Sequence, residues 1–234
     1  MEHDDTPAGR LLTRREMLGL MGAALLGRSL PAGAQERPSC VARPQQMEGP
    51  FFVDTGLNRS DIRSDPGTGA VRPGQTLQVM FRVSRVSGGG CAPLPGAHVE
   101  LWQCDAAGVY SGVREGGDAA GQKFLRGYQV TDNAGTARFT TIYPGWYPGR
   151  TVHLHFMIRS ARSAAVREEF TSQLYFDDAT TDRVHALAPY AGRGPRTVKN
   201  GGDGLYRQGG AQLLLAVREH GQGLAGTFDV GLQA

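Results

Sequence analysis

The chain has 234 residues, 40% of them apolar and 20% charged, with 25 lysines and arginines against 22 aspartates and glutamates and a net charge of +3. These proportions are those of a soluble globular protein long enough to bury a core, and one domain is the expected count. So small a positive surplus, without a basic run or arginines interleaved with aromatics, excludes a nucleic-acid-binding role but leaves room for a small anionic ligand.

Residues 1–34 form a segment of their own. Arg14 and Arg15 precede a short apolar stretch from Met17 to Gly27, and Ala32-Gly33-Ala34 offers a small-x-small cleavage site. The segment resembles a twin-arginine export signal, and its apolar stretch is too short to cross a bilayer as a helix. The resemblance implies cleavage near Ala34 and export to the periplasm or beyond by the twin-arginine machinery. That route carries folded proteins, which hints at a metal already in place. The remainder, residues 35–234, is expected to be a single domain.

Glycine is abundant, at 34 residues, and much of it lies between short apolar alternations, as in chains of many strands joined by tight turns. Residues 76–86 alternate Leu77, Val79, Phe81 and Val83 with polar partners, which predicts a half-buried strand. Further strands are predicted at 97–105, 124–130, 136–142, 151–158, 170–176, 211–217 and 226–232, with a turn at Asp132-Asn133-Ala134-Gly135. Residues 177–210 read as long loop with at most a short helix. The predicted fold is an all-β, mainly antiparallel β-sandwich whose long loops carry a metal site. Of three cysteines, Cys40 and Cys91 are expected to form a disulfide, leaving Cys104 as a free thiol in a buried strand.

The stretch "TVHLHFMI" at 151–158 carries the first chemical signal. Side chains alternate along a strand, so His153 and His155 share one face while Val152, Leu154 and Phe156 take the other. Alone, such a pair is most often two satisfied polar groups. "YPGWYPGR" at 143–150 runs directly into it, and "DAAGVYSG" at 105–112 presents a second tyrosine in a glycine-flanked turn. A phenol ionises near pH 10, so two tyrosines beside two histidines suit a strongly Lewis-acidic cation such as Fe(III). Zinc more often recruits cysteine, histidine and carboxylate, and ferrous oxygenases favour two histidines with one carboxylate.

Taken in order, "QMEGPFF" (46–52), "CAPLPGAHVELWQCDAAGVYSG" (91–112), "FLRGYQVTDNAGTARFTTIYPGWYPGRTVHLHF" (124–156) and "TSQLYF" (171–176) resemble the intradiol ring-cleavage dioxygenases, the family of catechol and protocatechuate 3,4-dioxygenases. The similarity runs from about residue 45 to the C-terminus. It implies one non-haem Fe(III) per chain held by Tyr110, Tyr147, His153 and His155, with Tyr147 the ligand displaced by substrate. It further implies that Arg150 and Gln173 serve catalysis, that Gly49, Pro50, Phe51, Trp102 and Trp146 contribute to substrate binding, and that the substrates are a catechol and O2. A homo-oligomer is compatible with it. Phe51 stands where protocatechuate enzymes carry a tyrosine, which removes a hydroxyl able to meet a substrate carboxylate and favours an uncharged or bulkier catechol. His98, His185 and His220 have no partner pattern.

Two other readings compete. Strands such as "PLPGAHVEL" and the "TDNAGTARF" hairpin are also similar to transthyretin-like binding modules, which have no catalytic iron. A zinc hydrolase using His153 and His155 would need a third protein ligand.

Overall fold

Apolar and polar residues alternate in short runs, and these runs pair into two β-sheets. The computed structural model describes residues 41–87, 90–114, 119–159 and 169–233. The expected export signal and Cys40 lie outside the described residues. The elements are β1 (Thr76–Ser87), β2 (Gly90–Pro93), β3 (His98–Trp102), β4 (Arg126–Val130), β5 (Thr136–Ile142), β6 (His153–Arg159), β7 (Glu169–Tyr175), α1 (Asp178–His185), β8 (Val217–His220) and β9 (Gly223–Gln233). The first sheet has the order β2-β1-β9-β8, with β5 also paired to β1, and the second has the order β4-β3-β6-β7. Only the β1–β9 ladder is parallel among the named strand pairs.

The core lies between the sheets. Phe81 of β1 meets Phe156 of β6 with ring centroids 5.2 Å apart, and Phe228 of β9 closes the cluster 5.7 Å from Phe156. Leu154, Phe156 and Ile158 of β6 point into this layer and are buried. His153, His155 and Met157 point to the opposite face, as the two-residue period requires, yet they are buried too. The outer face of the second sheet is therefore roofed by loops.

Where sequence and structure differ, local geometry is the reason. The run at 211–217 was expected to be a strand, but Gly210–Leu213 forms a 3-10 turn. The turn enters through Gly209, whose φ of 100° suits glycine alone. Leu214 then makes a single bridge to Tyr175, and β8 starts only at Val217. Leu213 and Leu215 are both buried, so the apolar run reflects docking against the core, not a regular ladder. β2 was not anticipated; it pairs with the end of β1, Val86 opposite Cys91. Residues 177–210 hold the short helix α1, capped by the Asp177 carboxylate accepting from Thr180 N at 2.8 Å, and two 3-10 turns. Cys91 is disulfide-bonded and Cys104 is a free, buried thiol. Among the described residues no helix is long and apolar enough to cross a membrane.

Glu100 of β3 lies on the roofed face of the second sheet. Burial pushes its pKa up to about 7, against the pull of the Arg159 guanidinium 3.4 Å away. The unfolded carboxyl ionises near 4.5, so the unfolded state releases its proton first as pH rises. Glu100 therefore costs stability increasingly between pH 4.5 and 7 and by a constant amount above that window. Glu100→Gln is expected to raise the unfolding free energy by on the order of 1 kcal/mol at pH 8 and to change it little at pH 4.5, as measured by urea titration at both pH values.

Candidate metal centre

Strand β6 presents both histidines on the roofed face, and the rings meet. His153 Nε2 lies 3.0 Å from His155 Nε2 and 3.0 Å from the Tyr147 hydroxyl. The His153 Nδ1 atom is 2.6 Å from the Thr151 carbonyl, which can only accept, so Nδ1 carries the proton and Nε2 keeps its lone pair. Trp102, opposite His155 in the β3–β6 register, stacks its indole flat on that imidazole at 5.1 Å and 9°. Both ring orientations are thus set from behind.

The two tyrosines arrive on loops pressed against each other. The Asp105 carboxylate accepts from Ala107 N and Val109 N at 2.9 and 3.0 Å, folding a tight turn that presents Tyr110. Gly108 sits in this turn at φ +79°, where a Cβ would lie 2.2 Å from the Trp146 carbonyl oxygen. The Asp105 carbonyl accepts from Gly145 N at 3.1 Å and ties the second loop alongside. Tyr110 and Tyr147 consequently meet edge to face at 5.7 Å, and Tyr110 approaches His155 at 6.1 Å. Behind the first loop, the buried Arg126 donates from Nε to the Ser111 carbonyl at 3.0 Å.

A strap over residues 46–52 closes the site. Gln46 N donates to Thr171 O at 3.0 Å, and Phe51 stacks on Tyr110 at 4.4 Å. Gly49, at φ +78°, lies over His155, where a Cβ would stand 3.3 Å from Cε1. Arg150 donates from Nε to Asp203 Oδ2 at 2.7 Å and from Nη2 to Gln173 Oε1 at 2.6 Å. Gln173 in turn donates to the Met47 carbonyl at 3.2 Å, and the Tyr175 hydroxyl to Gln46 Oε1 at 2.7 Å.

Burial decides the protonation states. Desolvation, then the Arg150 charge, lowers the His153 pKa to about 3, and desolvation with His153 beside it takes His155 well below the ordinary value. Both imidazoles are therefore neutral lone-pair donors. Burial also raises Tyr147 to about 12, opposed by Arg150, and lifts Tyr110 well above the usual range. These phenols ionise only against a strong Lewis acid.

The Tyr110 hydroxyl and His155 Nδ1 are buried without a hydrogen-bond partner among the described residues. A buried unpaired group costs about 1–3 kcal/mol, and the unpaired Tyr110 hydroxyl beside two converging Nε2 atoms marks a place built for a cation, whereas His155 Nδ1 lies on the other side of its ring. Two phenolates and two neutral imidazoles suit a trivalent, hard ion. Among the described residues no three His, Cys, Asp or Glu side chains are placed to hold one metal ion together, so the zinc-hydrolase reading lacks its third ligand.

The model of a family described as "Dioxygenase" matches residues 47–186, more than half of the chain and nearly all of this constellation. The chain belongs to the intradiol dioxygenases. The 6-chlorohydroxyquinol 1,2-dioxygenase of Cupriavidus pinatubonensis is 31% identical over 175 residues, 66% of this chain and 60% of that protein. Among solved structures, the intradiol ring-cleavage dioxygenase from Tetranychus urticae superposes with a TM-score of 0.69 at 32% identity, covering 83% of this chain and 94% of that one. The dioxygenase domain of a dioxygenase carbohydrate-binding protein fusion from Streptomyces sp. SirexAA-E gives 0.59 at 32% identity, covering 82% and 99%. The chain spans 60% or less of the lengths of the first curated relatives it matches.

Tyr110, Tyr147, His153, His155, Arg150 and Gln173 are thus brought into one neighbourhood, with Gly49 and Phe51 on its roof. Two of the expected substrate-binding residues, Trp102 and Trp146, have their rings engaged with protein neighbours. Trp102 is buried, stacked on His155 and met edge-on by Phe52 at 5.0 Å. Trp146 turns toward residues 193–194, where Arg193 covers its ring at 4.6 Å and its indole N–H donates to Gly194 O. Gln46, Arg126, Tyr175 and Asp203 were not anticipated. Tyr175 shares a face with Gln173 by simple alternation and could have been found; Asp203, a lone carboxylate among glycines, reads as a turn residue.

If the apposition of the two tyrosine loops creates the metal site, Gly108→Ala should leave far-UV circular dichroism unchanged and weaken ferric binding by roughly 10–100-fold, measured by competition against a chelator. Wild-type affinity in that variant would contradict this account of the loops.

Proposed function

We propose that the protein is a ferric, non-haem intradiol dioxygenase, one iron per chain, that opens a catechol ring between its two hydroxyl-bearing carbons. Both atoms of O2 enter the product, a cis,cis-muconate-type diacid, and no external reductant is consumed. The observation carrying this reading is the convergence of two phenols and two neutral imidazoles on one buried point. A transthyretin-like binding module has no use for that arrangement, which disfavours the alternative. The relatives named as hydroxyquinol and catechol 1,2-dioxygenases support the same substrate class.

Bound ferric iron would supply the Lewis acidity that keeps phenolates and a chelated catecholate ionised and readies the ring for O2. The chain's own groups do the rest. Tyr147 is the more exposed of the two phenols, so its oxygen is the one an incoming catechol hydroxyl can reach and protonate. Tyr110, buried beneath Phe51, stays in place. Arg150, one-fifth exposed and near enough to Tyr147 for its charge to act on that phenol, offers positive charge to the ring as it becomes electron-rich. Gln173 fixes its reach. Phe51 gives the pocket an apolar edge, favouring uncharged catechols. Residues 1–34 support export of the folded, metal-loaded protein by the twin-arginine machinery.

Iron-loaded protein should take up one O2 per catechol with loss of the aromatic absorbance, whereas a colourless or inert ferric protein would contradict the reading. Arg150→Ala should keep its iron and slow turnover by roughly 10²–10³-fold; turnover at the wild-type rate would remove Arg150 from catalysis.

A further inference from the structure

Arg150 does not stand alone. Its guanidinium is held on one side by Asp203, whose side chain is wholly buried, and on the other by Gln173. Asp203 Oδ2 accepts from Arg150 Nε at 2.7 Å and from Thr151 N at 2.8 Å, gripping two consecutive residues at the entry to β6. Its Oδ1 accepts from Leu205 N and Tyr206 N at 2.8 and 2.9 Å. Burial opposes the Asp203 charge, but the Tyr206 and Thr151 amides and the Arg150 guanidinium outweigh it and keep the carboxyl ionised below its ordinary range. All four hydrogen bonds are charge-assisted, and the carboxylate joins the loop at 203–206 to the residue that flanks the donors.

We propose that Asp203, which lies outside the matched family region, is a positioning residue for the reaction, aiming the Arg150 guanidinium at the substrate space and balancing its charge. This rests on the ring-cleavage reading of the site. Two consequences follow. With Nε on Asp203 and Nη2 shared with Gln173 and, at 3.4 Å, the Tyr175 hydroxyl, the guanidinium plane cannot swing. And because Asp203 offsets part of the Arg150 charge, a carboxylate on the ring meets a weaker attraction there than an unpaired guanidinium would give, in keeping with the apolar Phe51 edge.

Asp203→Asn is the informative change, because an isosteric amide can keep its oxygen on Leu205 and Tyr206 only by turning an N–H2 group toward Arg150. In the iron-loaded protein it should lower kcat on catechol roughly 10–100-fold while the same change in an Arg150→Ala background alters kcat less than about 3-fold, since there is then nothing to aim. Equal losses in both backgrounds would show a general structural role and overturn the proposal. Asp203→Glu, which keeps a carboxylate for Arg150, should recover most of kcat; if the Asn variant does not fold, Asp203→Ser takes its place in the two-background comparison, and equal losses in both backgrounds again overturn the proposal. Anaerobic titration followed by the visible spectrum gives a readout without turnover. Asp203→Asn should strengthen binding of 3,4-dihydroxybenzoate several-fold relative to catechol, and an unchanged ratio would overturn the charge-balancing role. Oxygen uptake by the wild-type protein serves as the separate control for the dioxygenase reading.

Discussion

The structure depends on a single burial: two imidazoles and two phenols enclosed on the outer face of a β-sheet with too few protein partners to satisfy them. A β-strand normally sends one face to the core and the other to water. In β6 both faces are covered, the second by a cluster of aromatic side chains that includes Trp102, Tyr110, Phe51 and Tyr147. Keeping water from His153 and His155 disfavours their protonated forms and leaves their Nε2 atoms facing each other 3.0 Å apart. Such an arrangement is unfavourable by itself and becomes favourable once a cation sits among the four donors. The loops that form the roof, with Gly49 and Gly108 where a side chain would collide, serve to maintain that enclosure.

The surrounding charges are arranged in layers. Arg150 stands beside Tyr147 and works against the rise in its phenol pKa, so the reachable phenol ionises more easily than the sealed one. Asp203 and Gln173 then hold Arg150 from behind, and the Gln46–Met47 backbone and side chain close the network over β7. Preorganised dipoles and charges of this kind need no rearrangement when negative charge develops on a substrate. The same network ties the 203–206 loop, far along the chain, to the start of the histidine strand.

Much of this was legible before any coordinates. Period-two alternation located β1, β5, β6 and β7 closely, because each buries one apolar face against the opposite sheet. The His153/His155 pair could be assigned to one face from the same rule, and the motif order joined Tyr110 and Tyr147 to them. What was not legible depends on tertiary contact. Leu213–Leu215 read as a strand because apolar residues dock against the core without forming a ladder. Trp146 looked like pocket lining from its place beside Tyr147, yet neighbouring residues on an extended segment point apart, and its ring went to Arg193. Asp203 gave no signal, since its partner lies 53 residues away.

The most direct test is resonance Raman spectroscopy of the iron-loaded protein, excited in its visible band. Two sets of tyrosinate ring vibrations are expected, one lost in Tyr110→Phe and the other in Tyr147→Phe. Iron bound without tyrosinate vibrations, or vibrations that survive both substitutions, would contradict the four-donor centre on which the account stands.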